Sequence, residues 1–572
     1  MAYRGDDFSV VWEQIKSFMQ KPNRKIFLLF FIFLMIIYAP FVFKGGFEYD
    51  DWSAAGLARG VSCTGLINAY HCDWPNYPDR PLASAFYSIN SNLFHMWAPG
   101  YILLSIVMLT GAILLMFKVF EQRFGSKFAT SFLFLAAVPS LSTTIIFSPA
   151  MQSIGCMALL MWAVSFYFLN KYLNTSNKRQ LRLCFGFLLA SLLFYESSLP
   201  LFGLSLAWPY IVAKQRIKAG YWTQYLKTFI APIALILLIV VLYQKFFVLH
   251  FYPNISKVRF QNTHEMFSIA MRTIANTIYI LTVGVFNFCI HGLNRVRHFS
   301  VSSLILFLAA VGSLAMALIL SRRQTEKKHV QNYSLWRLSS AFLMVSAALA
   351  LIHFIANSPP TFVGYRNRAV VAGSMIIAVA GAVLWDRFFS RRGRLWMAVG
   401  VVLFASYVST FIVQRNNYDL ANSERLKIAA RILPLAEANY EPHMFILANA
   451  PVYTKSNFNN ETIFSDEVLD WSNMLKDLSG NKTIDGISLT PGRLTRGELV
   501  IRNNELAVMH DNKNLVPINK IWYYDVNTNQ LTKVQTQDRL ASILNSARYF
   551  PDYPAPVDVR MRNNLRDWLA SY

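Results

Sequence analysis

Residues 26–43 read IFLLFFIFLMIIYAPFVF, and residues 44–52 continue KGGFEYDDW. The first run carries no charge and is long enough to cross a bilayer, for which about 20 apolar residues suffice. It stops at Lys44, Gly45 and Gly46, and the acids Asp50 and Asp51 follow at once, beside Trp52. An acidic pair is a poor anchor at a membrane–water boundary. A carboxylate that close to a span must find a cation, a metal or water.

The whole chain extends this reading. Of 572 residues, 54% are hydrophobic and only 15% are charged, against about 25% charged in a soluble domain. The net charge of +23 resembles a nucleic-acid signal until it is mapped. Much of it sits in short loops between apolar runs: Lys21, Arg24 and Lys25; Lys178, Arg179 and Arg182; Lys214, Arg216 and Lys218; Arg322, Arg323, Lys327 and Lys328; Arg391, Arg392 and Arg394. That is the positive-inside pattern. No nucleic-acid-binding motif is present, and nucleic acid is not an expected partner.

Eleven runs are expected to span: Ile26–Phe43, Tyr101–Phe120, Phe128–Phe147, Gln152–Leu169, Leu183–Tyr195, Leu199–Ala213, Phe229–Phe247, Ser302–Leu320, Ser339–Ile355, Ala369–Trp385 and Leu395–Val413. Two of them, Leu183–Tyr195 and Leu199–Ala213, are short and meet at a tight turn, Glu196-Ser197-Ser198. Met266–Ile290 is apolar enough to span, but counting it would put the basic loops on opposite sides. It is read as a re-entrant or interfacial element on the outer side. The expected fold is mainly α: a polytopic helix bundle over 26–414, with an outer loop at 44–100. A cytoplasmic segment, 1–25, precedes it, and an outward-facing α+β domain, 415–572, follows. The first run is too long for a cleavable signal, and no small-residue cleavage site follows it.

After Val413 the composition turns polar. Ser423–Glu437 reads as a helix, and Met444–Leu447, Glu498–Arg502, Leu506–Met509 and Ile521–Val526 as strands. Asn527–Gln530 is turn-rich, so Ile521–Val526 and Leu531–Val534 are expected to form a hairpin. Of five cysteines, Cys156, Cys184 and Cys289 fall in apolar runs and read as packing residues. Cys63 and Cys72 sit together in the first outer loop. In an oxidising compartment they are expected to form a disulfide.

The charges gather in outer loops, where chemistry would lie. In the first, Asp50, Asp51, His71, Asp73, Asp79 and Arg80 include candidate general bases, since burial near a bilayer raises a carboxylate pKa. The plainer reading of Asp79 and Arg80 is a turn before Pro81. Glu196 lies between two apolar helices, which marks it as functional by default. Its plainer reading is a neighbour of the Ser197 or Ser198 cap before Pro200. Arg366 and Arg368, after Tyr365, break the rule that outer loops are poor in cations. Arginine's planar fork of donors fits phosphate oxygens, and snorkelling to ordinary headgroups is the alternative. Lys257 and Arg259 could reinforce such a site. His250 and His264 have no spacing that compels a metal. Trp52, Trp74 and Tyr77 could stack on sugar faces, although interfacial anchoring is the commoner role for Trp and Tyr.

An early outer-loop Asp50-Asp51, the Arg80-Pro81 pair, Tyr195-Glu196 between helices, many spans and an outward C-terminal domain resemble the C-type (GT-C) integral-membrane glycosyltransferases. The closest similarity is to the serotype-converting O-antigen glucosyltransferases, and it covers the chain to about Val413. The resemblance implies a polyprenyl-phosphate sugar donor, made on the cytoplasmic side and flipped outward. It implies metal-optional single displacement onto a hydroxyl of a lipid-linked glycan, with inversion and with no cofactor required, a divalent metal being optional. It also implies a bacterial inner membrane, although the sequons at Asn254, Asn460 and Asn481 keep the endoplasmic reticulum open. Asp50 or Asp51 takes the family's catalytic acid position, with Glu196 orienting the sugar or the acceptor. Arg366, Arg368, Lys257 and Arg259 would hold the donor phosphate, and Asp79, Arg80, Tyr195, Tyr365 and Trp52 the substrate. Two other readings stand beside it: a lipid-linked glycan transporter or flippase, and an O-antigen ligase or polymerase using a diphosphate-linked donor.

Overall fold

The computed structural model describes residues 22–47, 51–56, 65–212, 221–251, 263–323, 334–355, 370–390, 393–438, 443–448, 468–480, 484–488, 499–502, 504–508, 516–526 and 528–546. Within these, the chain is a mainly α polytopic bundle. Eight helices are long and apolar enough to cross a membrane: Arg24–Lys44, Ala98–Phe124, Ser153–Thr175, Trp222–Val248, Val301–Arg322, Leu335–Phe354, Val371–Phe389 and Arg394–Pro434. Several present apolar side chains outward, such as Leu235, Leu238, Ile305, Leu308, Leu343 and Leu351. A helix that is apolar on its exposed side is at home in lipid.

One of the expected spans takes another form, and two more are the short pair expected around a tight turn. Residues 128–147 are not one rod. A helix ends at Ala136, turns follow through Pro139, and a short Thr144–Phe147 helix resumes. Proline has no N–H to continue the ladder. This irregular backbone is buried throughout, as it must be at membrane depth, where only protein can satisfy its polar groups. The Lys178–Phe194 and Leu199–Ile211 helices are short and meet at a turn of 3-10 helix, Glu196–Ser198. The segment read as re-entrant is two helices, Met266–Leu281 and Val283–His298, bent by 49°. Thr282 sits at the bend, its Oγ1 donating back to Ile278 O at 2.5 Å, a bond that commonly bends helices.

The last span differs most from its expected end at Val413. It runs unbroken as a helix from Arg394 to Ala438. The polar stretch 414–425 stays helical because the bundle satisfies it. Gln414 Nε2 donates to Ser140 O at 2.8 Å, Thr143 Oγ1 donates to Gln414 Oε1 at 2.7 Å, and Arg415 Nη1 donates to Ile37 O at 3.1 Å. Close approach elsewhere uses small residues: a Cβ on Gly203 would sit 3.1 Å from the backbone of Met344 and Val345.

The rest of the chain adds strands, as the alternation predicts. β1 (His443–Ala448), β2 (Ile484–Ser488), β3 (Leu499–Arg502), β4 (Glu505–Val508), β5 (Val516–Pro517), β6 (Ile521–Asp525) and β7 (Gln530–Lys533) form two sheets, ordered β2-β1-β6-β7 and β3-β4-β5. β6 and β7 are the expected hairpin, with Asn529 in the left-handed region at φ 56°. Beside β2 lies the Val468–Ser479 helix, whose buried Trp471, Met474 and Leu475 join the core of the membrane bundle.

Candidate functional site

The chain leaves its first span at Lys44 and is clamped there by the long last helix. Arg425 Nη1 donates to Phe47 O at 2.7 Å, and Gly46 lies against Asn422, where a Cβ would meet the side-chain amide at 2.3 Å. Gln414, Tyr418, Asn422 and Arg425 share one face of that helix by their spacing. The clamp delivers the short Asp51–Gly56 helix into the protein. Asp51 is fully buried. Its Oδ1 accepts from Ser148 Oγ at 2.9 Å and from the Met151 backbone N–H at 2.7 Å. An ionised carboxylate is acceptor-only, so two donors on one oxygen fix its orientation.

The turn that carries these donors is itself held. Tyr87 Oη donates to Met151 O at 2.7 Å, and Tyr77 Oη lies 3.8 Å from Met151 Sδ. Thr144 Oγ1 and Tyr418 Oη are 3.0 Å apart. Phe47 packs edge-on to both Trp52 and Tyr101, at 5.2 and 5.7 Å between ring centres. Trp52 is thus a buried packing residue. The Tyr101 hydroxyl is buried without a hydrogen bond among the described residues, with the Asp51 and Asp477 carboxylates near it. Asp477 belongs to the Val468–Ser479 helix and lies against Gly56, where a Cβ would meet both its carboxylate oxygens at 2.8 Å. The polar C-terminal region therefore closes over the helix that carries Asp51.

A second charged group lies along the same loop. Arg80 Nε donates to Glu196 Oε2 at 2.7 Å and Arg80 Nη2 to Glu196 Oε1, a bidentate pair. The guanidinium lies over the Tyr195 ring at 4.7 Å, and Asp79 Oδ2 is 3.8 Å from its Nε. Burial alone would lower the Arg80 pKa, but Glu196, Asp79 and Tyr195 outweigh it and raise it above its ordinary value. Arg80 N bonds to Tyr77 O at 3.0 Å. The backbone of 77–80 thus links the ion pair to the turn that holds Asp51. Asp73, at the end of the Leu66–Asp73 helix, is buried with no hydrogen bond to Oδ2 among the described residues. Burial pushes its pKa up to about 7, opposed by Ser84.

The structure therefore holds Asp51 on residues 148–151, with Trp52 beside it, and gathers Asp79, Arg80, Tyr195 and Glu196 into a second group joined to that turn through Tyr77. Asp50, Cys63, Lys257, Arg259, Tyr365, Arg366 and Arg368 lie outside the described residues. Cys72 is disulfide-bonded, and Cys156, Cys184 and Cys289 are free thiols. No group of three or more His, Cys, Asp or Glu among the described residues is placed to hold a metal ion. The sequence passed over Ser148, Met151, Tyr87, Asn422 and Arg425. Only the last helix carried a signal, a polar face at helical spacing with no proline or glycine between Val413 and Pro434. The 148–151 turn carries no charge and gave none.

Chemically, the site offers an oriented, desolvated carboxylate and a cation already committed to an acid. No protein-family model matches the chain, and no curated protein is significantly similar to it.

Proposed function

We propose that this chain is a GT-C type glycosyltransferase that moves a hexose, glucose by the resemblance, from a polyprenyl-phosphate donor to a hydroxyl of a lipid-linked glycan such as O-antigen. In this reading it sits in a bacterial inner membrane with its N-terminus cytoplasmic. The 266–290 pair is re-entrant, the segment after Val413 is periplasmic, and the chain crosses the membrane eleven times when the broken and short segments are counted.

The observation that supports it is Asp51: a carboxylate fully buried just after the first span and aimed by Ser148 and the Met151 N–H. Water-excluded carboxylates of fixed orientation suit general-base work. Asp51 takes the proton of the acceptor hydroxyl as its oxygen attacks the anomeric carbon. The bond from that carbon to the phosphate oxygen breaks, and polyprenyl phosphate leaves with the electron pair. Single displacement inverts the anomeric centre. Arg366, Arg368, Lys257 and Arg259 are the cations assigned to the leaving phosphate. The Arg80–Glu196 pair holds the loop and offers Glu196 to a sugar hydroxyl. Because Asp477 and its helix lie over the Asp51–Gly56 helix, acceptor access involves a movement of that cover.

The test is turnover of a radiolabelled polyprenyl-phosphate glucose by the full chain in proteoliposomes containing a lipid-linked O-antigen oligosaccharide. Label should pass to the acceptor with inverted configuration and release free polyprenyl phosphate. A transporter would relocate the donor intact, and a ligase or polymerase would act only on a diphosphate-linked donor. Either result ends the reading.

A further inference from the structure

Opposite the Asp51 site, the bundle holds a cavity of about 480 Å³ lined by polar and aromatic side chains. That volume falls within the range of small-molecule sites, about 300–1,000 Å³. Arg123, near the end of the Ala98–Phe124 helix, forms one wall. Tyr101, beside Asp51, lies on the same helix about 33 Å away at 1.5 Å per residue. The two sites are therefore at opposite ends of the bundle.

Arg123 is held without being neutralised. Nε donates to Asn170 Oδ1 at 2.7 Å and Nη2 to Asn174 Oδ1 at 2.6 Å. Both partners are neutral amides. Among the described residues the Nη1 edge makes no hydrogen bond and no carboxylate lines the cavity. A half-buried guanidinium fixed in place by amides, with an open edge and no counter-ion among the described residues, is a built anion receptor. Facing it, Gln224 and Thr228 stand one helical turn apart and supply further polar groups, while Tyr172 and Phe229 meet edge-on at 6.0 Å and supply an apolar wall. Leu226–Ile230 is a π-helical turn, an irregularity that often marks functional sites. The same helix turns the apolar side chains Leu235, Leu238 and Leu242 outward, toward lipid. The cavity thus lies at the end of a bundle of spans, where headgroups sit.

We infer that the cavity around Arg123 binds a phosphate group, carried by a membrane lipid or by a soluble phosphoester. The inference is independent of the Asp51 chemistry. The experiment is saturation binding of tritiated dioctanoyl phosphatidic acid to the full chain in nanodiscs, with inorganic phosphate and dioctanoylglycerol as competitors. Saturable binding that Arg123→Ala weakens about tenfold or more, with neither competitor effective, assigns the lipid. Competition by inorganic phosphate, lost in the same variant, assigns the soluble source. Thr228→Trp fills the cavity and leaves Arg123 intact, so it should also abolish binding. Unchanged affinity in Arg123→Ala or in Thr228→Trp overturns the inference, as does equal competition by the uncharged dioctanoylglycerol.

Discussion

Arg80 and Glu196 stand 116 residues apart in the chain and meet in a bidentate ion pair, the guanidinium lying over Tyr195. The pair closes the first outer loop onto the hairpin of the Lys178–Phe194 and Leu199–Ile211 helices.

Breaking the pair should destabilise the protein. Losing one partner of a fully buried pair costs about 3–5 kcal/mol. Glu196 is 39% exposed, so water screens part of the loss and about 1–3 kcal/mol is expected. Thermal unfolding in detergent should show Glu196→Gln and Arg80→Ala both lowering Tm. The double variant should cost less than the sum. Additive losses would mean that the two side chains do not act as a pair.

Asp51→Asn should separate folding from activity. The amide keeps an oxygen to accept from Ser148 and Met151, so Tm should change little. Proton acceptance is lost, and turnover of the polyprenyl-phosphate donor should fall by about 10²–10⁴-fold. Ser148→Ala removes one of two donors and should cost far less. Donor turnover in Asp51→Asn equal to that of the parent chain would remove Asp51 as the base.

Asp73 should give the protein a pH-dependent stability. Burial raises its carboxyl from an ordinary 3.8 to about 7. Between those values the folded protein keeps a proton that the unfolded chain releases. Stability is therefore greatest at the acid end and falls as pH rises through about 7, where the buried carboxylate must ionise. The loss between about pH 5 and 8 should be on the order of 2–3 kcal/mol. Asp73→Asn should flatten this slope in Tm measured against pH.

Arg425→Ala should loosen the exit from the first span. It removes the bond to Phe47 O and leaves that carbonyl buried, a cost of about 1–3 kcal/mol. Hydrogen exchange should rise in residues 45–56 before it rises in the helix Pro22–Lys44. Uniform exchange across both segments would show that the clamp is not local.

The membrane class was legible in the amino-acid order because a bilayer imposes a length and a polarity on every span, and both are local properties. Ile26–Phe43, Tyr101–Phe120 and Ser302–Leu320 needed nothing else to be read. The hairpin at 521–534 was legible for the same kind of reason, since alternation and turn residues act within a few positions. Residues 128–147 were harder. Their composition matches a span, but Pro139 lies in a stretch that the surrounding helices bury completely, and burial is not a local property. The polar run after Val413 misled in the other direction, because its hydrogen-bond partners, Ser140, Thr143, Ile37 and Phe47, come from distant parts of the chain.

The acids, and the reason to look at them, came from the chain alone: Asp51 after a span and Glu196 between two short helices are anomalies of charge at a hydrocarbon boundary. Their partners did not. Long-range contacts choose Ser148 and Met151 for Asp51, Arg80 for Glu196 and the Asp477 helix as a cover. A hydrogen bond depends on where two atoms end up in space, and spacing along the chain carries no record of that.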